Sequence, residues 1–379
     1  MRATSVTIIG AGCAGLSLAA ELSKIENSKV KLLGRPSPAE TTPHVWGFWR
    51  MDWLEEPTHQ SRASWSKWEF LAPDSAVVRQ ESTTHSYHAL LSTDWLGACR
   101  RKAQTTQFEQ IDVDGPNLPA DEDTEFVFDS RPPELDEPFM KQHFLGWEIK
   151  TKTPAFDPSV VRLMDFTTDQ SRGIHFIYLL PFDAHTALVE STMFSFTTEP
   201  NSWYEDAITA YLSDQLGVTS FNVQRTEKGC IPMAFPDRPH SRYHAIGGNS
   251  GAVRASSGYA FTFIQKQVKQ IARAIATRAD TQSTIAVRRP HRTLDRMMDA
   301  VFLDVLASAP KRAPSLFMKL ARALRGDELA RFMSGTAGSA IIIKIIFAMP
   351  KGLFLYSAVR CCANAIKSCL AMPLKGQIK

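Results

Sequence analysis

The sequence predicts an α/β protein of two domains, one built on a parallel sheet and one on a second β-sheet, followed by a helical C-terminal region. At 379 residues the chain is long enough for two cores. A strand, a glycine-rich turn, a helix and a second strand follow one another in residues 5–35. Segments with strand character recur in residues 142–196, and residues 293–379 have the apolar spacing of helices.

The composition is that of a folded protein, with 44% hydrophobic and 22% charged residues. The six cysteines form no CxxC pair, so we expect reduced thiols in a cytoplasmic protein and no metal site. The apolar run that ends at Gly10 is too short for a signal peptide. Because no segment reaches the roughly 20 apolar residues of a spanning helix, we expect a protein that does not cross a bilayer.

The net charge of +4 is unevenly distributed along the chain. Residues 288–379 carry sixteen Lys and Arg against five Asp and Glu, and no acidic residue follows Glu328. The apolar segments 339–350 and 352–356 lie in the same region. A basic and apolar tail favours peripheral attachment to an anionic membrane surface over binding of nucleic acid. A helical domain with a basic solvated face, or a buried helix that covers the core, would give the same pattern.

A complete GxGxxG motif, Gly10 to Gly15, lies between the strand at residues 6–9 and the helix that includes residues 16–22. Gly10 permits the tight turn, Gly12 lets the backbone approach a pyrophosphate, and Gly15 allows the helix to pack closely on the strand. The amino end of the helix offers N–H donors and a positive dipole to phosphates. Because the motif lies inside a βαβ unit, it predicts a Rossmann-type domain that binds a dinucleotide.

The acidic residue that usually holds the ribose hydroxyls at the end of the second strand is absent, since Leu33 is followed by Gly34. Glu40 is a later candidate for this contact. Arg50 or a backbone group is the alternative.

A second glycine-rich segment spans residues 247–258 and precedes a predicted helix over residues 259–279. A chain that returns late to the nucleotide domain is typical of flavoproteins, which favours FAD over NAD as the dinucleotide. The segment would place backbone N–H groups and a second helix terminus beside the flavin ring. The cofactor-binding residues predicted here are Gly247, Gly248, Gly251, Ser257, Gly258 and Tyr259.

The remaining elements follow from the same patterns. We predict strands over residues 125–129, 142–150, 174–181 and 186–196, a helix over 201–216, and C-terminal helices broken at Pro310, Pro314 and Pro350. The predicted nucleotide domain takes residues 1–55, 90–140 and 227–285, the substrate domain takes 56–89 and 141–226, and residues 286–379 form the helical region.

Five of the eight tryptophans lie in residues 44–70. These side chains either pack a sheet onto the core or form the wall of an apolar tunnel, and composition alone leaves both interpretations open.

Glu190 lies between the apolar residues 186–189 and Ser191-Thr192. If this strand is buried, desolvation would raise the pKa of the Glu190 carboxyl and make it a proton donor at neutral pH. A glutamate that points to the surface from an alternating strand is the other interpretation.

Several segments follow one another in the order and spacing of one protein family. They are residues 44–48 (HVWGF), 142–149 (QHFLGWEI), 164–166 (MDF), 178–181 (YLLP), 188–192 (LVEST), 227–233 (EKGCIPM) and 256–261 (SSGYAF). Together they resemble the FAD-dependent lycopene β-cyclases of carotenoid-making bacteria and plants, over nearly the whole chain. The resemblance implies a flavoprotein fold like that of glutathione reductase and the flavin hydroxylases.

The resemblance also implies an isomerase that closes β-ionone rings on lycopene or a similar acyclic carotenoid. Glu190 would be the acid, and the reaction would involve no net redox change although the FAD must be reduced by NADPH or NADH. The implied substrate-binding residues are Trp46, Phe48, Phe144, Trp147, Asp165 and Phe166. No metal is implied.

A flavin-dependent monooxygenase or a prenyl-chain reductase is the alternative, because both share the nucleotide domain and a substrate cavity walled by a sheet. In those enzymes the flavin does the chemistry, so no buried acid is needed and NADPH is consumed in proportion to product.

Overall fold

A computed structural model describes residues 4–36, 42–105, 107–111, 124–236, 243–278, 285 and 287–371. The strands in these residues are β1 (Thr4–Ala11), β2 (Ser28–Pro36), β3 (Val45–Trp49), β4 (Ala63–Trp65), β5 (Lys67–Leu71), β6 (Val77–Glu81), β7 (Tyr87–Leu91), β8 (Gln107–Ile111), β9 (Phe126–Asp129), β10 (Lys141–Thr151), β11 (Val160–Asp165), β12 (Ile174–Pro181), β13 (Thr186–Ser195), β14 (Phe221–Pro232) and β15 (His244–Ala245). The helices are α1 (Cys13–Leu22), α2 (Glu55–His59), α3 (Ser92–Ala103), α4 (Asn201–Leu216), α5 (Phe261–Ala276), α6 (Thr293–Ser308), α7 (Ala313–Ala323), α8 (Gly326–Met333), α9 (Ser339–Ala348) and α10 (Lys351–Ala371).

The first sheet has five parallel strands in the order β15-β9-β1-β2-β8. The apolar run at its centre is buried on both faces, as is usual for parallel strands, and Ile8 pairs with Leu32 on one side and Phe128 on the other. Helices α1 and α5 pack beside one another within this domain. The predicted βαβ unit is therefore present at the amino end.

Glycines set the turn between β1 and α1. Gly10 has φ +96°, a conformation that favours glycine, and Gly12 is the N-cap of α1. A Cβ at Gly15 would lie 1.9 Å from the carbonyl oxygen of Gly10. The helix can lie this close to the strand only because residue 15 has no side chain.

The second sheet has seven strands in the order β14-β10-β13-β12-β11-β5-β6, and its central strands lie at the predicted positions. All pairs are antiparallel except β11 with β5. One face packs on α4 through an apolar cluster that includes Leu145, Ile177 and Val189. The opposite face is covered in part by the C-terminal helices, through Phe176, Phe194 and Phe317 among others.

A small third sheet, in the order β3-β7-β4, joins segments that the sequence assigned to different domains. The predicted boundary at residues 89–90 divides β7, and the boundary at residues 226–227 divides β14. Strand pairing fixes such boundaries, and pairing partners are not visible in local patterns. We propose that residues 221–232 as a whole belong to the domain of the seven-stranded sheet.

The C-terminal region is helical as predicted, and the expected breaks at Pro310 and Pro350 are present, whereas the one expected at Pro314 is not. Pro350 separates α9 from α10, and Pro310 begins a short 3₁₀ turn before α7. Pro314 instead lies in the first turn of α7, where proline is tolerated because the first N–H groups of a helix have no partner within it. Two further breaks occur near Leu324 and Gly335, the latter at φ +69°.

Within the described residues no single helix has the length and apolarity of a membrane span. Helix α9 and residues 351–364 of α10 reach that composition only as a pair, bent by 113° at the break between them.

The variant Gly15→Ala tests the close packing of α1 on β1. Because the added Cβ would meet a backbone oxygen that cannot turn aside, we expect the free energy of unfolding to fall by about 1–3 kcal/mol. Gly97→Ala in α3 is the control, since its Cβ would approach only the flexible Arg101 side chain, at 3.4 Å. That variant should gain roughly 0.5–1 kcal/mol. Urea unfolding measures the free energy of unfolding of both variants, and equal changes in the two would contradict the close packing of α1 on β1.

Candidate active site

A cavity of about 980 Å³ lies between the seven-stranded sheet, the small third sheet, the loop before α5 and the C-terminal helices. Most of its wall is apolar. The polar and aromatic side chains that line it include Trp46, Trp49, Tyr87, Gln142, Phe144, Phe176, Tyr178, Glu190, Phe194, Glu227, Ser257 and Tyr259. The far wall is formed by apolar residues of α6 to α10, among them Phe302, Phe317, Ile346 and Phe354.

Glu190 lies on β13 and is 7% exposed, so the structure places it in the cavity wall and not at the surface. The Thr192 hydroxyl donates a hydrogen bond of 2.5 Å to its Oε1 atom. Burial, followed by the negative charge of Glu227, raises the pKa of Glu190 to about 8. The carboxyl is therefore largely protonated at neutral pH and can donate a proton into an apolar space.

The alternation of side chains along the strands decides which residues share the face of Glu190. Phe144 and Gly146 on β10 lie on this face, and Phe144 lines the cavity. Trp147 follows directly after Gly146 and therefore points to the opposite face, where it packs against Phe221. Phe144 and Trp147, which belong to the same family motif, therefore lie on different sides of the sheet.

Of the other predicted substrate-binding residues, Trp46 lines the cavity, whereas Phe48, Asp165 and Phe166 are not among the residues of its wall in the described part of the chain. Phe48 stacks on His88 and packs against Phe261. Asp165 is fully buried and accepts hydrogen bonds from Arg162 and Tyr211 on the α4 side of the sheet.

Phe166 packs behind the wall, between Phe176 and Phe317. Asp165 and Phe166 therefore support the wall from outside, through contacts that local sequence does not indicate.

Glu227 on β14 is a second buried carboxyl of the cavity wall, at 2% exposure. Arg225 Nη1 donates to its Oε2 atom at 2.6 Å, and the backbone N–H of Val45 donates to the same oxygen at 3.0 Å. Burial raises the pKa of Glu227, and Arg225 opposes this shift. Glu190 contacts no cation in the described residues, whereas Glu227 is paired with Arg225, so burial favours the protonated form more strongly in Glu190.

Three phenols form a hydrogen-bonded cluster in the same wall. The Tyr87 hydroxyl lies 2.8 Å from that of Tyr178 and 2.9 Å from that of Tyr259. Burial raises the pKa of all three well above the usual value, so they remain neutral. Gly47 makes room for the cluster, because a Cβ there would lie 2.0 Å from the Tyr87 hydroxyl and 2.6 Å from that of Tyr178.

The predicted nucleotide site is built from the two glycine-rich segments, which pack on each other. A Cβ at Gly247 (φ +61°) would lie 2.5 Å from Cβ of Ala14, inside the GxGxxG turn. Among the described residues, a Cβ at Gly248 would meet only Pro133, at 3.9 Å, and Gly251 has φ +78°. The turn leaves the N–H groups at the start of α1 available, as a pyrophosphate would require.

The loop of Ser257, Gly258 and Tyr259 approaches the cavity with unused hydrogen-bonding groups. Ser257 Oγ and Gln142 Oε1 are buried and have no protein partner within the described residues. A Cβ at Gly258 (φ +71°) would lie 2.0 Å from Gln142 Oε1. Buried polar atoms normally have partners, so these groups fit a bound molecule with polar ring atoms, such as a flavin.

The backbone conformation at Gly34 explains why no acidic residue at this position holds the ribose hydroxyls. Gly34 has φ +135°, and a Cβ there would lie 3.4 Å from Cα and N of Gly10. An acidic residue at this position would be strained and would crowd the glycine turn. Glu40 lies outside the described residues, and Arg50 is exposed.

Sequence inspection missed Tyr87, Tyr178 and Arg225. Tyr178 lies in one of the family segments, and its even spacing from Phe176 in a predicted strand was the available signal. Tyr87 and Arg225 reach the site only through strand pairing. The contribution of α6 to α10 to the cavity had no local signal beyond apolar spacing.

Comparisons with known proteins agree with the resemblance seen in the sequence. Residues 5–357 match the family described as “Lycopene cyclase protein”. A relative described as “Lycopene beta-cyclase”, from Paracoccus sp. (strain N81106 / MBIC 01143), is 30% identical over 238 residues. That alignment covers 58% of this chain and 59% of the relative, so it spans about three fifths of the relative's length.

Solved structures share the fold at low sequence identity. A geranylgeranyl bacteriochlorophyll reductase-like protein from Thermoplasma acidophilum has a TM-score of 0.55 at 12% identity, covering 91% of this chain and 96% of its own. The flavin-dependent brominase Bmp2 has a TM-score of 0.56 at 14% identity, with coverage of 90% and 97%. A tryptophan 6-halogenase from Streptomyces toxytricini has a TM-score of 0.56 at 10% identity and covers 98% of both chains. These likenesses confirm the predicted Rossmann-type flavoprotein fold.

The variant Gly47→Ala tests the space reserved for the phenol cluster. The new Cβ would displace the hydroxyls of Tyr87 and Tyr178, and we expect a loss of about 1–3 kcal/mol in the free energy of unfolding. The double variant with Tyr87→Phe removes the oxygen that lies 2.0 Å away, so the two changes should cost less together than the sum of each alone. Thermal and urea unfolding of the four proteins measures this coupling, and strict additivity would contradict the contact.

Proposed function

We propose that this chain, which belongs to the lycopene cyclase family, closes β-ionone rings at the ends of lycopene or a similar acyclic carotenoid by acid catalysis. The observation that carries this proposal is the buried carboxyl of Glu190, which contacts no cation in the described residues and lies in the wall of a large apolar cavity. A hydrocarbon substrate has no polar group to bind, so an apolar wall with one proton donor is the arrangement that its cyclisation requires.

The reaction begins with transfer of the Glu190 proton to the CH carbon of the terminal trisubstituted alkene. The tertiary cation that results is attacked by a neighbouring alkene, which forms the ring bond. Loss of a ring proton then restores a double bond, and the Glu190 carboxylate is the base that can accept it. No electrons are gained or lost, so the reaction is an isomerisation.

The cavity protects the cation in two ways. Its apolar walls exclude water, which would otherwise trap the cation as an alcohol. Aromatic faces at Trp46, Phe144 and Tyr178 supply negative π-density without a nucleophile that forms a covalent bond. The Tyr87 and Tyr178 hydroxyls are engaged with one another, which reduces their reactivity toward the cation.

We propose FAD as the resident cofactor, reduced by NADPH or NADH. Its pyrophosphate would lie at Gly10, Gly12 and the start of α1, and its ring beside Ser257 and Gly258. When bound in reduced form, the flavin supplies a fixed negative charge near the cavity that stabilises positive charge in the transition state.

We also propose peripheral attachment to an anionic membrane through α9 and α10. Phe347 is 74% exposed and Leu355 67%, and the cavity wall extends to Ile346 and Leu355 on the same helices. Lys344 and Lys351 lie among these apolar residues. This arrangement supports entry of a lipid-dissolved polyene directly from the bilayer.

The variant Glu190→Gln tests the acid. It keeps the size of the side chain but removes the transferable proton, so cells that accumulate lycopene should convert less than about 1% of the wild-type amount to cyclic product. The purified variant should still bind flavin, because Glu190 is not among the predicted cofactor contacts. Pigment chromatography and the flavin absorbance measure the two properties. Cyclisation at the wild-type level would remove Glu190 from the mechanism.

Turnover by the purified protein, with NADPH and oxygen followed alongside product, separates the alternative functions. A monooxygenase or a prenyl-chain reductase would consume NADPH in proportion to product, whereas an isomerase needs only enough to reduce its flavin. Stoichiometric NADPH oxidation or oxygen uptake during turnover would favour those alternatives.

The membrane proposal predicts that exposed apolar residues of α9 and α10 control binding to vesicles. The triple variant Phe347→Ser, Leu355→Ser and Val359→Ser should bind phosphatidylglycerol vesicles about tenfold more weakly in flotation assays. The control variant Val77→Ser and Val223→Ser changes two exposed valines of the sheet domain and should leave binding to the vesicles unchanged. Unchanged binding of the triple variant would contradict attachment through this region.

A further inference from the structure

Charged side chains form a row along the face of the seven-stranded sheet that leads to Glu190. Arg62 donates to both oxygens of Glu148, at 2.8 and 2.6 Å. Glu148 also accepts a hydrogen bond from Arg225 Nε at 3.2 Å, and Arg225 Nη1 donates to Glu227 at 2.6 Å. Each contact joins opposite charges, so the row alternates in sign from Arg62 to Glu227.

A glycine lies between the end of this row and the proton donor. Gly146 on β10 is the register partner of Glu190 on one side and of Glu227 on the other. A Cβ at residue 146 would lie only 3.2 Å from Cβ and 3.3 Å from Cγ of Glu190. Because residue 146 has no side chain, none stands between the two carboxyls on this face.

The charges of the row do not balance if all its carboxyls are ionised. Arg62 and Arg225 each carry one positive charge, and each neutralises one carboxylate. Glu148 and Glu227 contact these arginines directly, whereas the hydrogen bond that Glu190 accepts comes from the neutral Thr192. A third buried negative charge would have no counterion, so one proton is retained.

We propose that Glu227, held ionised by Arg225 and by the backbone N–H of Val45, is a positioning residue that fixes the catalytic proton on Glu190. The proposal rests on the proposed function, which makes Glu190 the acid of the reaction. Glu227 acts through its charge across the gap at Gly146. Because a second negative charge beside Glu227 is unfavourable, Glu227 opposes ionisation of Glu190.

Few other charges face the pair in the described residues. The other titratable groups of the cavity wall are the neutral phenols of Tyr87, Tyr178 and Tyr259, the imidazole of His44, the thiols of Cys13 and Cys230, the exposed Lys228, and Asp299 and Lys351 on the C-terminal helices. Asp299 is paired with Arg254, and Glu227 is the charged group that acts on Glu190. Burial and Arg225 lower the pKa of His44, so it is neutral and adds no charge. The electrostatic effect on Glu190 therefore comes chiefly from Glu227.

Infrared titration of the substrate-free, flavin-loaded protein tests the proposal. The carboxylic C=O band that disappears in Glu190→Gln reports the protonated state of Glu190. In the wild type this band should persist through neutral pH and titrate near pH 8. In Glu227→Gln, which keeps the shape but removes the charge, the midpoint should fall by about one pH unit or more.

Two further variants separate charge from shape. Glu227→Asp keeps the negative charge and should retain a midpoint closer to the wild type than Glu227→Gln does. Glu199→Gln removes a carboxylate paired with Arg172 on the outside of the sheet and should leave the midpoint unchanged. If Glu227→Gln fails to fold, Arg225→Met takes its place, because Glu227 without its cation takes up a proton and the Glu190 midpoint should fall likewise.

The rate of cyclisation should follow the same midpoints. Glu190 donates only when protonated, so kcat/KM is constant below the pKa and falls tenfold per pH unit above it, with the fall beginning about one unit lower in Glu227→Gln. Absence of the Glu190 band in the wild type at neutral pH would overturn the proposed acid itself. A band that is present but does not move in Glu227→Gln or Arg225→Met would overturn only the role of Glu227.

Discussion

The structure depends on keeping one carboxylic acid out of water. A carboxylate in an apolar wall costs several kcal/mol unless it is paired, and no cation in the described part of the chain contacts Glu190, so burial favours its protonated form. Every nearby feature is compatible with this state. The phenols around it stay neutral, the adjacent strand position is glycine, and the hydrogen bond that it accepts from Thr192 comes from a neutral hydroxyl.

The fold provides this environment by bringing together three parts of the molecule. The nucleotide domain contributes the glycine turn and the loop at Gly258, the seven-stranded sheet contributes the two carboxyls, and the C-terminal helices close the remaining side. The small third sheet joins these parts, because β3 carries Trp46 and Gly47 into the wall and Val45 to Glu227. The site therefore forms only when segments from the whole length of the chain have assembled.

The sequence predicted those features that are encoded locally. The GxGxxG turn, the central strands of the large sheet and Glu190 follow from short-range pattern and from family motifs. The pairing of Gly146 with both carboxyls could not be predicted, because it depends on which strands become neighbours. Trp147 illustrates the same limit. It lies within a family motif, but one residue of register places its ring on the far face of the sheet.

The two ends of the cavity belong to different kinds of structure. Glu190, the proposed proton donor, lies on a hydrogen-bonded β-ladder, where a change in backbone position would disturb several strands at once. The opposite end is bounded by the helices α6 to α10, which take no part in the pairing of these strands. Substitutions in α6 to α10 can therefore change the length and shape of the cavity without moving the strand that carries Glu190.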